Sequence, residues 1–225
     1  MTLKFTTEKI RREIAGLYER KYLKVPKVIK KARGFKLRGR TIRSITNSTD
    51  PVIARNNNAD ALMMVYPFTP DPVIVQSFIR LAQRPVFVGV GGGTTTGKKV
   101  AHIALNAEFM GAGGVIVNSP ISKKDIERII EYTDLPVIAT LVDETQLDEK
   151  VSAGAHVINV AAGKRTRDVV EAIDDNCKLP IIASGGPSDE TILATIEAGA
   201  DAVTYTPPPI SLIMGELMDK YREMV

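Results

Sequence analysis

Residues 135–164 read LPVIATLVDETQLDEKVSAGAHVINVAAGK, and this stretch decides the fold. Pro136 precedes the apolar run Val137–Leu141, a polar tip with Asp143 and Glu144 follows, and a helical segment closes on Ala153-Gly154. A second apolar run, Val157–Val160, comes next and ends in Gly163-Lys164-Arg165. Proline before a strand ends the preceding helix and costs no ladder hydrogen bond. Ala-Gly after a helix suits a left-handed cap that needs no Cβ. The stretch is therefore one βαβα unit.

The same unit recurs along the chain. RPVFVG (84–89) and LPIIAS (179–184) match LPVIAT, while GAGGVIV (111–117) and AGADAVT (198–204) match AGAHVIN. Eight strands are expected: Thr41–Asn47, Ala61–Tyr66, Val86–Val90, Gly114–Asn118, Val137–Leu141, Val157–Val160, Ile181–Ser184 and Ala202–Thr206. Each is near-continuously apolar, as a parallel strand covered on both faces requires. Segments of helical period separate them, such as SKKDIERIIEYTD (122–134) and SDETILATIEAGA (188–200). Four repeats of a βαβα unit favour a closed (βα)8 barrel, the TIM-barrel class, over an open doubly wound sheet.

The barrel is assigned to residues 41–225, and residues 1–40 form a basic helical extension. TTEKIRREIAGLYERKYLK (6–24) has Thr7 as its cap and an apolar stripe of Ile10, Ile14, Leu17 and Tyr18. Val25–Ala32 suggests a second short helix with Gly34 past its end. These elements are expected to cover the barrel bottom or a subunit interface.

Charge is divided unevenly. Residues 1–43 hold 15 Lys/Arg against Glu8, Glu13 and Glu19, a net of +12, leaving −8 for the rest of a chain whose total is +4. Such an arm either docks on an acidic barrel, its own or a partner's, or contacts a polyanion. Tyr18, Tyr22 and Phe35 are the only aromatics there besides Phe5, so strong sequence-specific RNA readout is not expected. A homo-oligomer is expected. No apolar run reaches 18 residues, MTLKFTTEKIRREIAGLYERK has no apolar signal core, and Cys177 has no internal partner; a cytoplasmic protein is expected.

In this fold the working residues sit at the carboxyl ends of the strands. Those tips carry Asn47, Asn118, Asn159, Ser184, Gly185, Gly186, Thr204 and Thr206. Asp143 and Lys164, with Asn47, are the candidate catalytic groups: a carboxylate as general base, a cation to steady developing charge. Asp143 also suits a helix cap. The loop VGVGGGTTTGKKVA (88–101) has the phosphate-loop spacing from Gly92 to Lys98, but Lys99 follows where a nucleotide hydrolase has Ser or Thr. Gly91, Gly92, Gly93 and Lys98 are read as a lid or anion clamp. His156 and Cys177 fall at the opposite end and His102 within a helix, so a catalytic triad is not expected, and neither is a zinc site. Asn159 stands where a Schiff-base aldolase has lysine.

IIASGGPSDETI (181–192), followed by GADAVTYTPP (199–208), resembles the phosphate-binding (βα)8 barrel superfamily. The nearest likenesses are to glycerol-3-phosphate-responsive antiterminator barrels and N-acylmannosamine-6-phosphate epimerases. The resemblance implies a substrate phosphate held at the ends of strands 7 and 8, by Gly185 and Gly186 with Ser184, Thr204 and Thr206. The sequence departs at Pro207–Pro209, which supply no N–H where such enzymes usually carry glycine and serine. The resulting expectation is an enzyme acting on a small phosphorylated metabolite by acid/base chemistry, as a lyase, isomerase or hydrolase. The rival is a phosphometabolite-sensing regulatory barrel with an RNA- or partner-binding arm. No cofactor is identified; FMN suits the class, but no residues are set to tune a flavin ring.

Overall fold

The computed structural model describes residues 23–66 and 68–223. An antiparallel hairpin of β1 (Phe35–Leu37) and β2 (Arg40–Ile42) precedes eight parallel strands. These are β3 (Ser44–Asn47), β4 (Ala61–Met64), β5 (Val86–Gly91), β6 (Gly114–Val117), β7 (Val137–Leu141), β8 (Val157–Val160), β9 (Ile181–Ser184) and β10 (Ala202–Tyr205). β10 pairs with β3 and closes the barrel. Helices follow the strands: α1 (Pro51–Arg55), α2 (Pro72–Leu81), α3 (Lys98–Phe109), α4 (Lys123–Tyr132), α5 (Leu147–Ser152), α6 (Thr166–Asp174), α7 (Asp189–Glu197) and α8 (Ile210–Arg222). Asp50, Asp71, Ser122 and Ser188 start α1, α2, α4 and α7 by accepting first-turn amides, and proline fills the first position of α1 and α2.

Strand alternation sorts the apolar residues into two cores. Ile45, Ala61, Met63, Phe87, Ile116, Ile138, Val157, Ile182 and Ala202 fill the interior, with Leu37 and Ile42 of the hairpin beneath them. Leu62, Met64, Val86, Val88, Val115, Val117, Val137, Ala139, Ile158, Val160, Ile181 and Ala183 face the helices. The repeated unit is also visible in hydrogen bonds. The carbonyls of Pro85, Pro136 and Pro180 accept from Leu62, Val115 and Ile158. The amides of Asp60, Gly113, His156 and Asp201, each just before an even-numbered strand, donate to the first residue of the strand before it. At three of these sites the side chain joins in: Asp60 accepts from Ser44 N–H, His156 Nδ1 from Val137 N–H, and Asp201 from Ile181 N–H. At the fourth, a Cβ on Gly113 would lie 2.8 Å from Pro85. His156 is thus part of the strand scaffold.

The N-terminal region departs from the sequence reading. Thr41 and Ile42 belong to the hairpin rather than the first barrel strand. Arg38 and Gly39 have φ of 46° and 81°, the left-handed pair that a tight two-residue hairpin needs. Val25–Ala32 contains only a 3-10 turn, Lys27–Lys31, ending where Ala32 is extended. The described part of the extension is therefore a turn and a hairpin, and most of the helix expected over residues 6–24 lies outside the described residues.

This segment has a packing role. Ile29 is 1% exposed and lies with Val25 and Val28 against Ile192 of α7 and Val203 and Tyr205 of β10. It covers the outer face of the last strand. Arg33 fastens it, with Nε 3.1 Å from Asp201 and Nη2 donating to Gly199 O at 2.8 Å and meeting Asp174 at 3.4 Å. The helix that follows β10 does not seal that face: Leu212, Met214 and Met218 of α8 are 54, 49 and 46% exposed.

Ile29→Ala should destabilise the barrel by about 2–4 kcal/mol, lowering Tm by roughly 5–15 °C in a calorimetric scan. An unchanged Tm would mean the segment does not seal β10. Thr46 is fully buried, and its Oγ1 has no hydrogen-bond partner among the described residues. Thr46→Val should raise stability by about 1 kcal/mol in urea unfolding, because an unsatisfied hydroxyl is replaced by a methyl of similar shape.

Candidate functional site

Toward the carboxyl ends of the strands the inward positions become polar. Met63, Val65 and Ile116 line the lower part of a cavity of about 500 Å³. Asn47, Asn118, Thr140, Asn159, Ser184, Thr204 and Thr206 supply its polar wall, and Gly185, Gly186, Pro187 and Ala161 complete it. Asn159 and Thr140 are adjacent in the β7–β8 register, and Asn159 Nδ2 donates to Thr140 Oγ1 at 3.0 Å. Both are nearly buried, so the amide is held in one orientation. Thr204 Oγ1 donates to Ala183 O at 3.2 Å. Among the described residues, no Asp, Glu, Lys, Arg or His lines this mouth.

The Gly185-Gly186 turn is shaped by packing as well as by any ligand. A Cβ on Gly185 would lie 2.4 Å from Val203 and 2.8 Å from Ile192, and Gly186 has φ of 81°. Gly185 N–H is directed at Thr204 O, 3.3 Å away, whereas Gly186 N–H donates to no other described residue. Ser188 and Thr191 then cap α7 reciprocally. Gly186 is thus the amide left open to an anion.

Three expected site groups lie elsewhere. Asp143 does not line the mouth. Its carboxylate caps the turn after β7, accepting from Thr145 N–H and Oγ1–H, and meets Arg165, which also reaches Glu144 at 3.2 Å. The Thr145 hydroxyl, then its amide, and then Arg165 hold the Asp143 carboxyl below its ordinary value. Lys164 is exposed and lines a neighbouring groove rather than the mouth. Lys98 opens α3 with its side chain exposed.

The glycine loop after β5 is a wall, not an anion clamp. Gly91 N and O belong to a register shift against β6, and Asn118 N–H donates to Gly91 O at 2.9 Å. Cβ atoms on Gly91 or Gly92 would collide with Val100 or with the Asn118 backbone. Thr95 is buried and shares a 2.8 Å hydroxyl bond with Thr69. Gly97 N–H already donates to Asp125, a buried carboxylate that Arg128 also holds. Asp125 therefore already satisfies the amide at the head of α3. Gly93 remains exposed beside Asn118.

Thr140, a strand tip two residues on from inward Ile138, joins the polar wall, while the apolar Met63, Val65, Ile116 and Ala161 of the cavity carry no sequence signal that separates them from core. His102 lies in α3 with its ring 5.8 Å from that of Tyr132, and burial pushes the Cys177 thiol pKa up at the far end of the barrel.

No protein-family model and no curated protein matches the chain. Among solved structures, phosphoenolpyruvate phosphomutase from Streptomyces platensis subsp. rosaceus aligns with a TM-score of 0.62 at 15% identity, over 80% of this chain and 82% of that one. Phosphonopyruvate hydrolase in complex with oxalate and Mg²⁺ gives 0.62 at 13%, over 82% of each chain. 2,3-Dimethylmalate lyase, a member of the PEP mutase/isocitrate lyase superfamily, gives 0.59 at 15%, over 87% and 85%. These likenesses establish the barrel fold; they lend no support to the finer resemblance to antiterminator barrels or acylmannosamine-phosphate epimerases.

Asp143's folded pKa is depressed, so its stabilising contribution is present above the ordinary carboxylate range and is lost as pH falls through the folded value. Thr145→Val should move the Asp143 titration upward toward that range in a carboxyl-carbon NMR experiment. An unmoved titration would assign the effect to the residue-145 amide and Arg165 instead.

Proposed function

We propose that the barrel mouth binds a small phosphorylated metabolite and that the chain is an enzyme acting on it. The observation that carries this reading is the convergence of Asn47, Asn118, Asn159, Thr140, Ser184, Thr204 and Thr206 around one cavity, with the open Gly186 amide at its edge. Its volume falls in the range of metabolite pockets. The structural neighbours named for phosphoenolpyruvate and phosphonopyruvate chemistry agree with a substrate of this class.

The chemistry follows from a neutral lining. Fixed amide and hydroxyl dipoles stabilise an oxyanion or enolate without reorganising, which is the strongest contribution such groups make. Asn159, oriented by Thr140, is the best placed of them. Proton transfer by Asp143 and Lys164 does not follow from the geometry, since neither faces the cavity. The same neutrality does not fit a protein-held Mg²⁺ like that bound with oxalate in phosphonopyruvate hydrolase. Magnesium is usually anchored by carboxylates, and no cluster of three His, Cys, Asp or Glu side chains occurs among the described residues.

A second reading is a phosphometabolite-sensing barrel. Two features of the described residues favour it: no Asp, Glu, Lys, Arg or His lines the mouth, and the exposed Lys24, Lys27, Lys30, Lys31, Arg38 and Arg40 make no ion pair among them.

A panel of phosphometabolites screened by native mass spectrometry and then assayed for turnover tests both readings. At least one should bind, and Gly186→Asp should abolish that binding by adding bulk and like charge. Asn159→Leu should weaken it by about 10- to 100-fold. Binding with turnover supports the enzyme; binding without it, together with salt-dependent RNA retardation, supports the sensor. Unchanged calorimetric affinity in Gly186→Asp would place the anion elsewhere.

A further inference from the structure

The Gly185-Gly186 turn separates two cavities. On its inner side lies the mouth. On its outer side, between α6 and α7, lies a groove of about 670 Å³ that shares Ser184, Gly185, Gly186 and Pro187 with the mouth. An anion on the Gly186 amide sits on the ridge between them, with space on both sides.

Charge around this ridge is sparse. Arg165 is engaged by Asp143 and Glu144, and Arg167 by Glu171 at 3.1 Å. Lys164 makes no ion pair among the described residues and is the cation of the groove left for a ligand. Asp189 and Glu190, both exposed, open α7 close by. One unpaired cation, the Gly186 amide and three nearby acids, Asp168 of the groove wall with Asp189 and Glu190, suit a single negative charge. A phosphomonoester carries close to two charges at neutral pH, because its second pKa is about 6. A phosphodiester carries one.

We propose that the ligand is a phosphodiester, with its phosphate on the Gly186 ridge, a polar uncharged substituent in the amide-lined mouth, and its second substituent in the α6–α7 groove. This rests on the reading that the mouth takes a phosphorylated ligand, and it adds the number of substituents on the phosphorus. Thr166, Thr191, Ala194 and Thr195 give the groove small neutral walls, and its Arg167 is already paired with Asp168 and Glu171, so the second substituent is held by shape more than by charge. Both cavities are individually large enough for a sugar-sized or glycerol-sized group.

The test is a matched set of probes: glycerol 3-phosphate as monoester, glycerophosphoethanolamine and glycerophosphoglycerol as diesters. Calorimetry on the full chain should show a diester bound about tenfold or more tighter than the monoester. Two variants that fill the groove without touching the mouth, Ala194→Trp and Arg167→Tyr, should remove that preference and leave monoester affinity unchanged. Two are needed because Ala194 is half-buried and its replacement risks the fold. Equal or tighter monoester binding that Gly186→Asp still abolishes overturns this inference and leaves the phosphometabolite reading standing. Diester preference that survives both groove variants also overturns it. Failure of all three probes, together with failure of the phosphometabolite panel, removes both.

Discussion

A strand in a closed parallel barrel has two faces, and neither can meet water along most of its length. That requirement organises this protein. Interior positions are filled by Ile45, Phe87, Ile138, Ile182 and their neighbours, and exterior positions by the valines and isoleucines that the helices cover. Polar side chains are tolerated inside only where the barrel opens. At the lower end the opening is plugged by Leu37 and Ile42, so the carboxyl end alone is left for Asn47, Thr140, Asn159 and Thr204. The same requirement explains the N-terminal segment. The outer face of β10 would be wet without Ile29, because α8 leaves it uncovered.

Ionisable groups are consumed around the periphery. Arg33 binds Asp174 and Asp201, Arg128 binds Asp125, and Arg165 binds Asp143 and Glu144. The exposed pairs among these, such as Arg165 with Asp143 and Glu144, contribute little to stability, but they fix loops and keep charge on the periphery. What remains inside is a set of oriented dipoles. Such a site discriminates by hydrogen-bond geometry and stabilises charge that the ligand itself brings or develops.

The two glycine-rich turns show how similar sequences acquire different roles. After β5, the glycines permit close packing against Asn118 and Val100, and Asp125 satisfies the amide at the head of α3. After β9, Gly185 is equally constrained by Val203 and Ile192, yet the next amide stays open. The difference lies in a carboxylate donated by a neighbouring helix in one case and by none in the other.

The sequence by itself determined the barrel, the strand ends and most of the mouth. Near-continuous apolar runs and the repeated Pro and Ala-Gly punctuation are local properties, and each strand's tip follows from counting along it. Asn47, Asn118, Asn159, Ser184, Thr204 and Thr206 were legible for that reason. Tertiary structure alone decided which loop groups reach the cavity. Asp143 and Lys164 come within four residues of the ends of β7 and β8, but Arg165 and the capped turn hold Asp143 outside, and Lys164 lies beyond the Gly185-Gly186 ridge. It likewise decided that Asp125, 28 residues from Gly97, accepts from the amide at the head of α3. Side-chain partnerships between separate loops depend on distances across the barrel rim, which no local pattern encodes.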